Sequence, residues 1–503
     1  MEKKVVKATV VVFVISLLSK IIGFLKSTIE ASYFGANFYT DAYNMANGFV
    51  GNLLFLFTTA IAVAFVPLYI QRKKHGDQKK FASSAITFFA CLTIGITVLL
   101  VVIAPYIVRI IAPSFSASQQ AITTQYFRVL VIGLVFSLIS NLYTNLLNAE
   151  KVYGYSAVGS VINSIVLIVI IIVFANVMGV WALVISIPLS YFLQFVILYL
   201  RGKKYATITF SYGFKDDNIK LLALQAAPIL LSQATVEINQ VVDRTLLASV
   251  GEGIVTAVSY SIVLYQFATT LIGAPLSTVM FTELSEAGAN NDEIRLKGIL
   301  HSCYKVIAFF CLPIIVVLLW GAKDIVNIVY GHGKFSTEAV SNCAIGLQMY
   351  GLCLFPVCIK KVLSSAYYAV NDTKRPMILG MLEVAVNIGL SILLVNDYGI
   401  YGVIGATAIA SGLFIVIMIL DYNYKHIKVF TKKEIGYYWK YLIAMVILFL
   451  SMNIFMEIRV ESAILGFIIK TLFAFTIFWG TLACLKEPLI DSLIKKIIKT
   501  LRR

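Results

Sequence analysis

Charge is what this sequence most lacks: 13% of its 503 residues are charged, where an ordinary soluble domain carries about 25%. The shortage runs the length of the chain, and no polar stretch is long enough to build a soluble domain, so lipid is the expected solvent throughout. The two-residue alternation of a membrane β-barrel is missing as well. Apolar runs such as Ser160 to Ala175, Val180 to Leu200 and Ile443 to Met456 are continuous, so their backbone hydrogen bonds have to close inside helices. The seven cysteines fall mostly within such runs with no close CxxC pair, and His75, His301, His332 and His426 never pair at ligand spacing. Small buried hydrophobes are the expectation, with no disulfide and no firm metal site. No Walker sequence is present, so ATP hydrolysis is not expected. No small-residue cleavage site follows the first apolar stretch, which is expected to stay as an anchor.

What is present is a regular succession of apolar segments. Polar breaks divide the chain into fourteen candidate spans, beginning near Val5, Thr40, Ala82, Tyr126, Ser156, Met178, Ile219, Ile254, Cys303, Val340, Pro376, Tyr401, Tyr437 and Ser462. The net charge of +16 is concentrated in every second loop. Arg72, Lys73, Lys74, Lys79 and Lys80 share one side with Lys151, Arg201, Lys203, Lys204, Lys374, Arg375 and the tail beyond Lys486, while the opposite loops hold only Lys334 and Arg459. Such an alternation puts both termini in the cytoplasm of a multi-pass inner-membrane protein. It also explains the basic surplus as a topology signal facing anionic lipid, not as a nucleic-acid surface.

The chain repeats itself. Leu146-Leu-Asn-Ala-Glu-Lys-Val-Tyr, Val161-Ile-Asn and Gly179-Val-Trp-Ala-Leu are echoed, in the same order and at a nearly constant offset, by Val370-Asn-Asp-Thr-Lys-Arg, Val386-Asn-Ile and Gly399-Ile-Tyr-Gly-Val. Six spans per copy is an even number, so both copies insert the same way round. The expected fold is an all-α polytopic membrane protein of 14 transmembrane helices. Residues 1–215 form an N-lobe of helices one to six, residues 216–432 a C-lobe of helices seven to twelve, and residues 433–503 carry helices thirteen and fourteen with a basic cytoplasmic tail. A parallel repeat of this kind places a substrate cavity between lobes that rock.

Ser19-Lys-Ile-Ile-Gly-Phe-Leu-Lys, Tyr33-Phe-Gly-Ala, Thr40-Asp-Ala-Tyr and Ala64-Phe-Val-Pro resemble the opening two helices of the MurJ (MviN) lipid II flippases, in the multidrug/oligosaccharidyl-lipid/polysaccharide exporter superfamily. Asn239-Gln-Val-Val-Asp-Arg with Leu247-Ala-Ser and Ser259-Tyr, Tyr367-Tyr-Ala-Val-Asn-Asp-Thr-Lys-Arg-Pro, and Gly399-Ile-Tyr-Gly-Val-Ile-Gly-Ala-Thr extend the likeness over nearly the whole chain. The resemblance implies a flippase that moves a polyprenyl-diphosphate-linked cell-wall precursor to the outer leaflet by alternating access. It also implies a cavity where arginines hold the diphosphate. Here Lys26 stands where the first of those arginines would be, and Ser27 replaces its aspartate. Leu53 or Leu54 and Val263 occupy the places of two further arginines, while Asp41 matches. A lysine neutralises phosphate as a point charge but lacks the planar guanidinium fork, so a carrier of another lipid-linked oligosaccharide (capsule, O-antigen or teichuronic-type) stays open.

Charges inside apolar spans are the functional candidates, because each costs at least about 2.5 kcal/mol at mid-bilayer. Lys20, Lys26, Glu30, Asp41, Lys360 and Lys361 are the substrate-binding candidates, with Glu30 one turn from Lys26 and able to pair with it. Lys20 and Lys26 have snorkelling to an interface as the rival reading, and Lys360 and Lys361 an interfacial one. Glu237, Asp243 and Arg244 read either as an internal ion pair or as part of a site. Asp243, Glu383, Asn387 and Thr407 bring oxygen donors from three helices, which suits Na⁺ or H⁺ coupling or separate interhelical contacts. The expected partners are the polyprenyl-diphosphate saccharide and membrane lipid, with no cofactor and a monomeric chain. A drug/cation antiporter is disfavoured by the lysines, and an enzyme by short outer loops almost free of charge.

Overall fold

The computed structural model describes residues 21–209, 217–290, 292–429, 436–455 and 462–490, and every regular element among them is a helix. They are α1 (21–34), α2 (Phe38–His75), α3 (Gln78–Ile111), α4 (Ala117–Ala149), α5 (Tyr153–Met178), α6 (Trp181–Gly202), α7 (Asp217–Val250), α8 (Ile254–Ala289), α9 (Glu293–Tyr330), α10 (Thr337–Ala369), α11 (Lys374–Lys425), α12 (Trp439–Phe455) and α13 (Ala463–Cys484). Among the described residues nine helices are long and apolar enough to cross a membrane, so the expected all-α polytopic architecture is the one adopted. Large aliphatic side chains such as Ile110, Val177 and Leu393 stand exposed, as a lipid solvent allows.

Local chemistry sets the ends of these helices. The Asn37 side chain accepts from the Tyr39 and Thr40 amides, and Thr40 Oγ1 accepts from the Asn37 amide at 2.8 Å. This reciprocal box satisfies donors that the first turn of α2 would otherwise leave orphaned. At the other end Arg72, Lys73, Lys74 and His75 complement the negative pole of the helix dipole.

The repeat is written into the backbone. Lys151 after α4 and Asn371 after α10 both take the left-handed conformation, with φ of 61° and 60°. Each is closed by the same pair of bonds: Lys151 N to Asn148 O and Val152 N to Leu147 O in one, Asn371 N to Tyr368 O and Asp372 N to Tyr367 O in the other. These are Schellman-type closures. The next corners also match, Gly179 at φ 56°, ψ −140° and Gly399 at φ 53°, ψ −125°, a combination that only glycine adopts without strain. The step along the chain from Lys151 to Asn371 is the same as that from Gly179 to Gly399. This offset pairs Asn163 with Glu383, so the asparagines that look equivalent by sequence, Asn163 and Asn387, are one helical turn out of register. Gly399 also breaks α11 into two legs that fold back on each other.

The described residues form two compact units. One comprises those up to Thr256 together with His332–Ala339, and the other comprises Ala257–Gly331 with those from Val340 on. In the first, Phe65, Phe81, Leu142, Tyr143 and Leu146 centre one buried cluster, and Phe127, Leu130, Leu167, Ile171 and Leu183 another. In the second, Leu300, Tyr304, Leu354, Tyr367 and Tyr422 pack together, and Leu448 and Phe478 of α12 and α13 close over Val316 of α9.

Candidate functional site

In α1, Lys26 Nζ lies 3.3 Å from Glu30 Oε1, the one-turn pairing that the sequence spacing allows. Glu30 is buried. Ser27 Oγ donates to the Phe24 carbonyl at 2.7 Å. Lys20 lies outside the described residues.

Asp41 sits in the first turn of α2 and is 1% exposed. One of its oxygens accepts from the Gly253 amide at 2.5 Å, and the other from the Thr256 amide at 2.8 Å and the Thr256 hydroxyl at 2.6 Å. It therefore caps the start of α8 from another helix, where the orphan amides and the positive end of the dipole both favour a carboxylate. Phe38 N donates to Glu252 Oε1 at 2.9 Å, and Asn44 Nδ2 to Thr256 Oγ1 at 3.1 Å, beside this clasp. A second clasp lies close by: Lys334 N donates to Ser32 O at 2.8 Å. Gly35 and Gly333 face Lys334 and Ser32 so closely that a methyl group at either would overlap a carbonyl oxygen.

Along α7 the polar groups continue. Arg244 Nη1 donates to Asn52 Oδ1 at 3.3 Å, Asn52 Nδ2 donates to the Glu237 carbonyl at 3.3 Å, and Gln240 Nε2 to Glu237 Oε2 at 3.4 Å. Gly48 of α2 leaves the room Arg244 needs, since a Cβ there would run into the guanidinium. Asp243 Oδ2 accepts from Asn239 one turn back at 3.1 Å. The structure thus lays an arginine along α2 near Leu53 and Leu54. The sequence hint was a glycine at 48, which is too common a residue to be read that way alone.

The second unit carries the most concentrated polar group. Lys360 Nζ of α10 donates to both Glu383 oxygens, at 2.9 and 2.8 Å, and Ser411 Oγ donates to Glu383 Oε1 at 3.1 Å. One turn on, Thr407 Oγ1 and Ser391 Oγ donate to Asn387 Oδ1 at 3.4 and 3.3 Å, and Ser391 also reaches the Val403 carbonyl at 3.4 Å. Glu383, Asn387, Ser391 and Ser411 are all buried. The pairs Glu383–Ser411, Asn387–Thr407 and Ser391–Val403 step by four residues in opposite directions, the register of two antiparallel legs meeting along one seam.

The structure thus brings together Glu383, Asn387 and Thr407, and Lys360, singled out for a different role, joins them. Lys361, its neighbour, is exposed. Asp243 belongs to the first compact unit and the seam to the second. Among the described residues no three His, Cys, Asp or Glu side chains gather as a metal site. Ser391 and Ser411, which complete the seam, were not singled out by sequence. Their signal was the four-residue step mirrored about the Gly399 corner.

The family model described as Lipid II flippase MurJ matches residues 30–474. The probable lipid II flippase MurJ of Rickettsia prowazekii is 24% identical over 415 residues, covering 80% of this chain and 81% of its own. That of Borreliella burgdorferi is 23% identical over 428 residues, covering 84% and 83%. A solved structure of lipid II flippase MurJ in an inward closed conformation superposes with a TM-score of 0.83 at 22% identity, covering 96% of this chain and all of that one. An inward-facing multidrug resistance MATE family transporter of the MOP superfamily follows the same fold less closely, with a TM-score of 0.63 at 14% identity over 80% of this chain and 93% of its own.

Proposed function

The chain belongs to the lipid II flippase MurJ family, and on that footing we propose that it carries a lipid II-type polyprenyl-diphosphate saccharide from the cytoplasmic to the outer leaflet by alternating access. The observation that carries this reading is the family match, unbroken over residues 30–474, in a chain whose apolar helices hold cations. A diphosphate head group must leave water to cross, and each of its charges needs a partner on the way. Lys26 offers one as a point charge held ready by Glu30, so that phosphate arrival exchanges one ion pair for another. Arg244 supplies what lysine lacks, the planar fork that binds phosphate through two parallel bonds. It does so alongside the α2 stretch in which Leu53 and Leu54 stand where the resemblance leads one to expect an arginine.

The chain acts as a translocator. With both termini in the cytoplasm, an anionic head group travels outward, and an inside-negative membrane potential favours that step by roughly 2.3 kcal/mol per charge per 100 mV. The replacement of the family's Arg-Asp pair by Lys26 and Ser27 favours a second reading, another polyprenyl-diphosphate oligosaccharide as cargo. Complementation separates the two. A host depleted of its own lipid II flippase should regain growth when this chain is expressed. No rescue despite good membrane expression sinks lipid II as the cargo and leaves the other saccharide.

A further inference from the structure

The charged pair of the α11 seam has no equivalent in the first copy of the repeat. The offset that superposes Gly179 on Gly399 places Leu167 opposite Asn387, Ile171 opposite Ser391 and Ile187 opposite Thr407, and these three side chains are buried and aliphatic. Lys360 and Glu383 correspond to Ser140, whose hydroxyl is spent on the Phe136 carbonyl at 2.6 Å, and to Asn163, 3.4 Å from Gln194. A hairpin of this shape therefore closes on aliphatic contacts and one neutral amide pair, with no charge. A carboxylate in the same place of the second copy adds a desolvation cost that packing does not require.

We infer that the ammonium of Lys360, a counter-ion tethered to the protein itself, fills this seam and keeps free monovalent cations such as Na⁺ out of it. Both carboxylate oxygens accept from one ammonium, the Ser411 hydroxyl donates to one of those oxygens, and the Asn387 amide oxygen and the Thr407 hydroxyl lie one turn away on the same seam. These are the neutral and anionic oxygens that a hard cation uses. There is a single carboxylate, so one positive charge balances the site. A second cation added beside the ammonium would leave an uncompensated charge buried in the protein, so Na⁺ does not load there while Lys360 is in place. Removing the ammonium leaves the same oxygens facing an unfilled position suited to Na⁺.

What fills the seam is independent of the cargo. The test is thermal unfolding of the purified full-length protein in NaCl against choline chloride at matched ionic strength. The wild type should unfold at the same temperature in both salts. Lys360→Met should unfold earlier in choline and recover by a few degrees in NaCl, saturably, as a ligand bound only to the folded state requires. Lys360→Met combined with Glu383→Gln, with neither charge left, should purify normally and be indifferent to Na⁺. A wild type stabilised by Na⁺ over choline would overturn the inference, as would a Lys360→Met protein with no Na⁺ response. So would a Lys360→Met protein that cannot be purified even in NaCl when the double variant can. None of these outcomes touches the flippase reading, which rests on transport.

Discussion

The two hairpins of the repeat, α5 with α6 and the two legs of α11, share a backbone and differ in what fills it. Both begin after a left-handed residue and turn at a glycine with nearly the same φ and ψ. The first closes on Leu167, Ile171 and Ile187 with one amide pair, Asn163–Gln194, and the second on Glu383, Asn387, Ser391, Thr407 and Ser411. The difference separates shape from task. Turn chemistry and helix register suffice to form the hairpin, and the polar side chains of the second copy are extra to that requirement. Interhelical hydrogen bonds in membranes contribute only about 0.6 kcal/mol each on average, so stability is a poor reason to hold a charged pair there.

Exchanging the fillings breaks the comparison most directly. Leu167→Asn should destabilise the protein by about 3 kcal/mol, because it removes buried aliphatic volume and strands an amide in an apolar cluster. Asn387→Leu, the reverse exchange, should change stability by no more than about 1 kcal/mol while impairing complementation. Chemical or thermal unfolding of the purified variants gives both values. Equal losses from the two would mean that the seam is structural and that the hairpins are not comparable.

The corners offer a smaller and more symmetrical effect. Gly179→Ala and Gly399→Ala should each cost about 1–3 kcal/mol, since both force a side chain into the same disfavoured backbone region. The equality ends a few positions later. Gly402 packs so closely on the Leu394 carbonyl that a methyl group would overlap it, whereas the matching position already carries the buried Ala182. Gly402→Ala should therefore unfold the protein at a lower temperature than the wild type, and an unchanged melting temperature would show the second corner to be no tighter than the first.

The smallest effect is at the turn after α4. Glu150, at the end of that helix, accepts from Lys73 at 2.6 Å and Tyr69 at 2.7 Å, while its repeat counterpart is Val370. Partial burial pushes its carboxyl up, but the bonds from Lys73 and Tyr69 outweigh that and leave it below the usual carboxylate range. A carboxyl lowered by folding contributes stability that is present above the ordinary carboxylate pKa and lost as pH falls through the lowered value. Lys73 is half exposed, so the contribution is below about 1 kcal/mol. Unfolding temperatures on acidification should fall slightly more steeply for the wild type than for Glu150→Gln, and parallel curves would remove the effect.

Much of this architecture can be read from residue order, and what cannot has identifiable causes. Helices follow from continuous apolar runs, and the Lys26–Glu30 contact from a four-residue step. The repeat is legible too, but its register is not: Asn163 and Asn387 are one turn out of step, and a one-turn slip keeps a helical face almost unchanged. The anchors that settle it are backbone angles, and at Lys151 the left-handed conformation has no residue signature. Lys360 and Glu383 belong to helices joined by a turn, so their pairing depends on how α10 lies against α11. Asp41 shows the same limit. The Thr40-Asp-Ala-Tyr run singles it out, yet its partners are the amides of Gly253 and Thr256, far along the chain.

The clasp of Gly35 and Gly333 has a consequence for biosynthesis. Ser32 leaves the ribosome long before the backbone at positions 332–334 that it binds. At roughly 5–20 residues per second, the interval is about 15–60 s. The first unit, which includes His332–Ala339, therefore lacks this clasp until the later half of the chain has been made. A chain released before His332 would never close it.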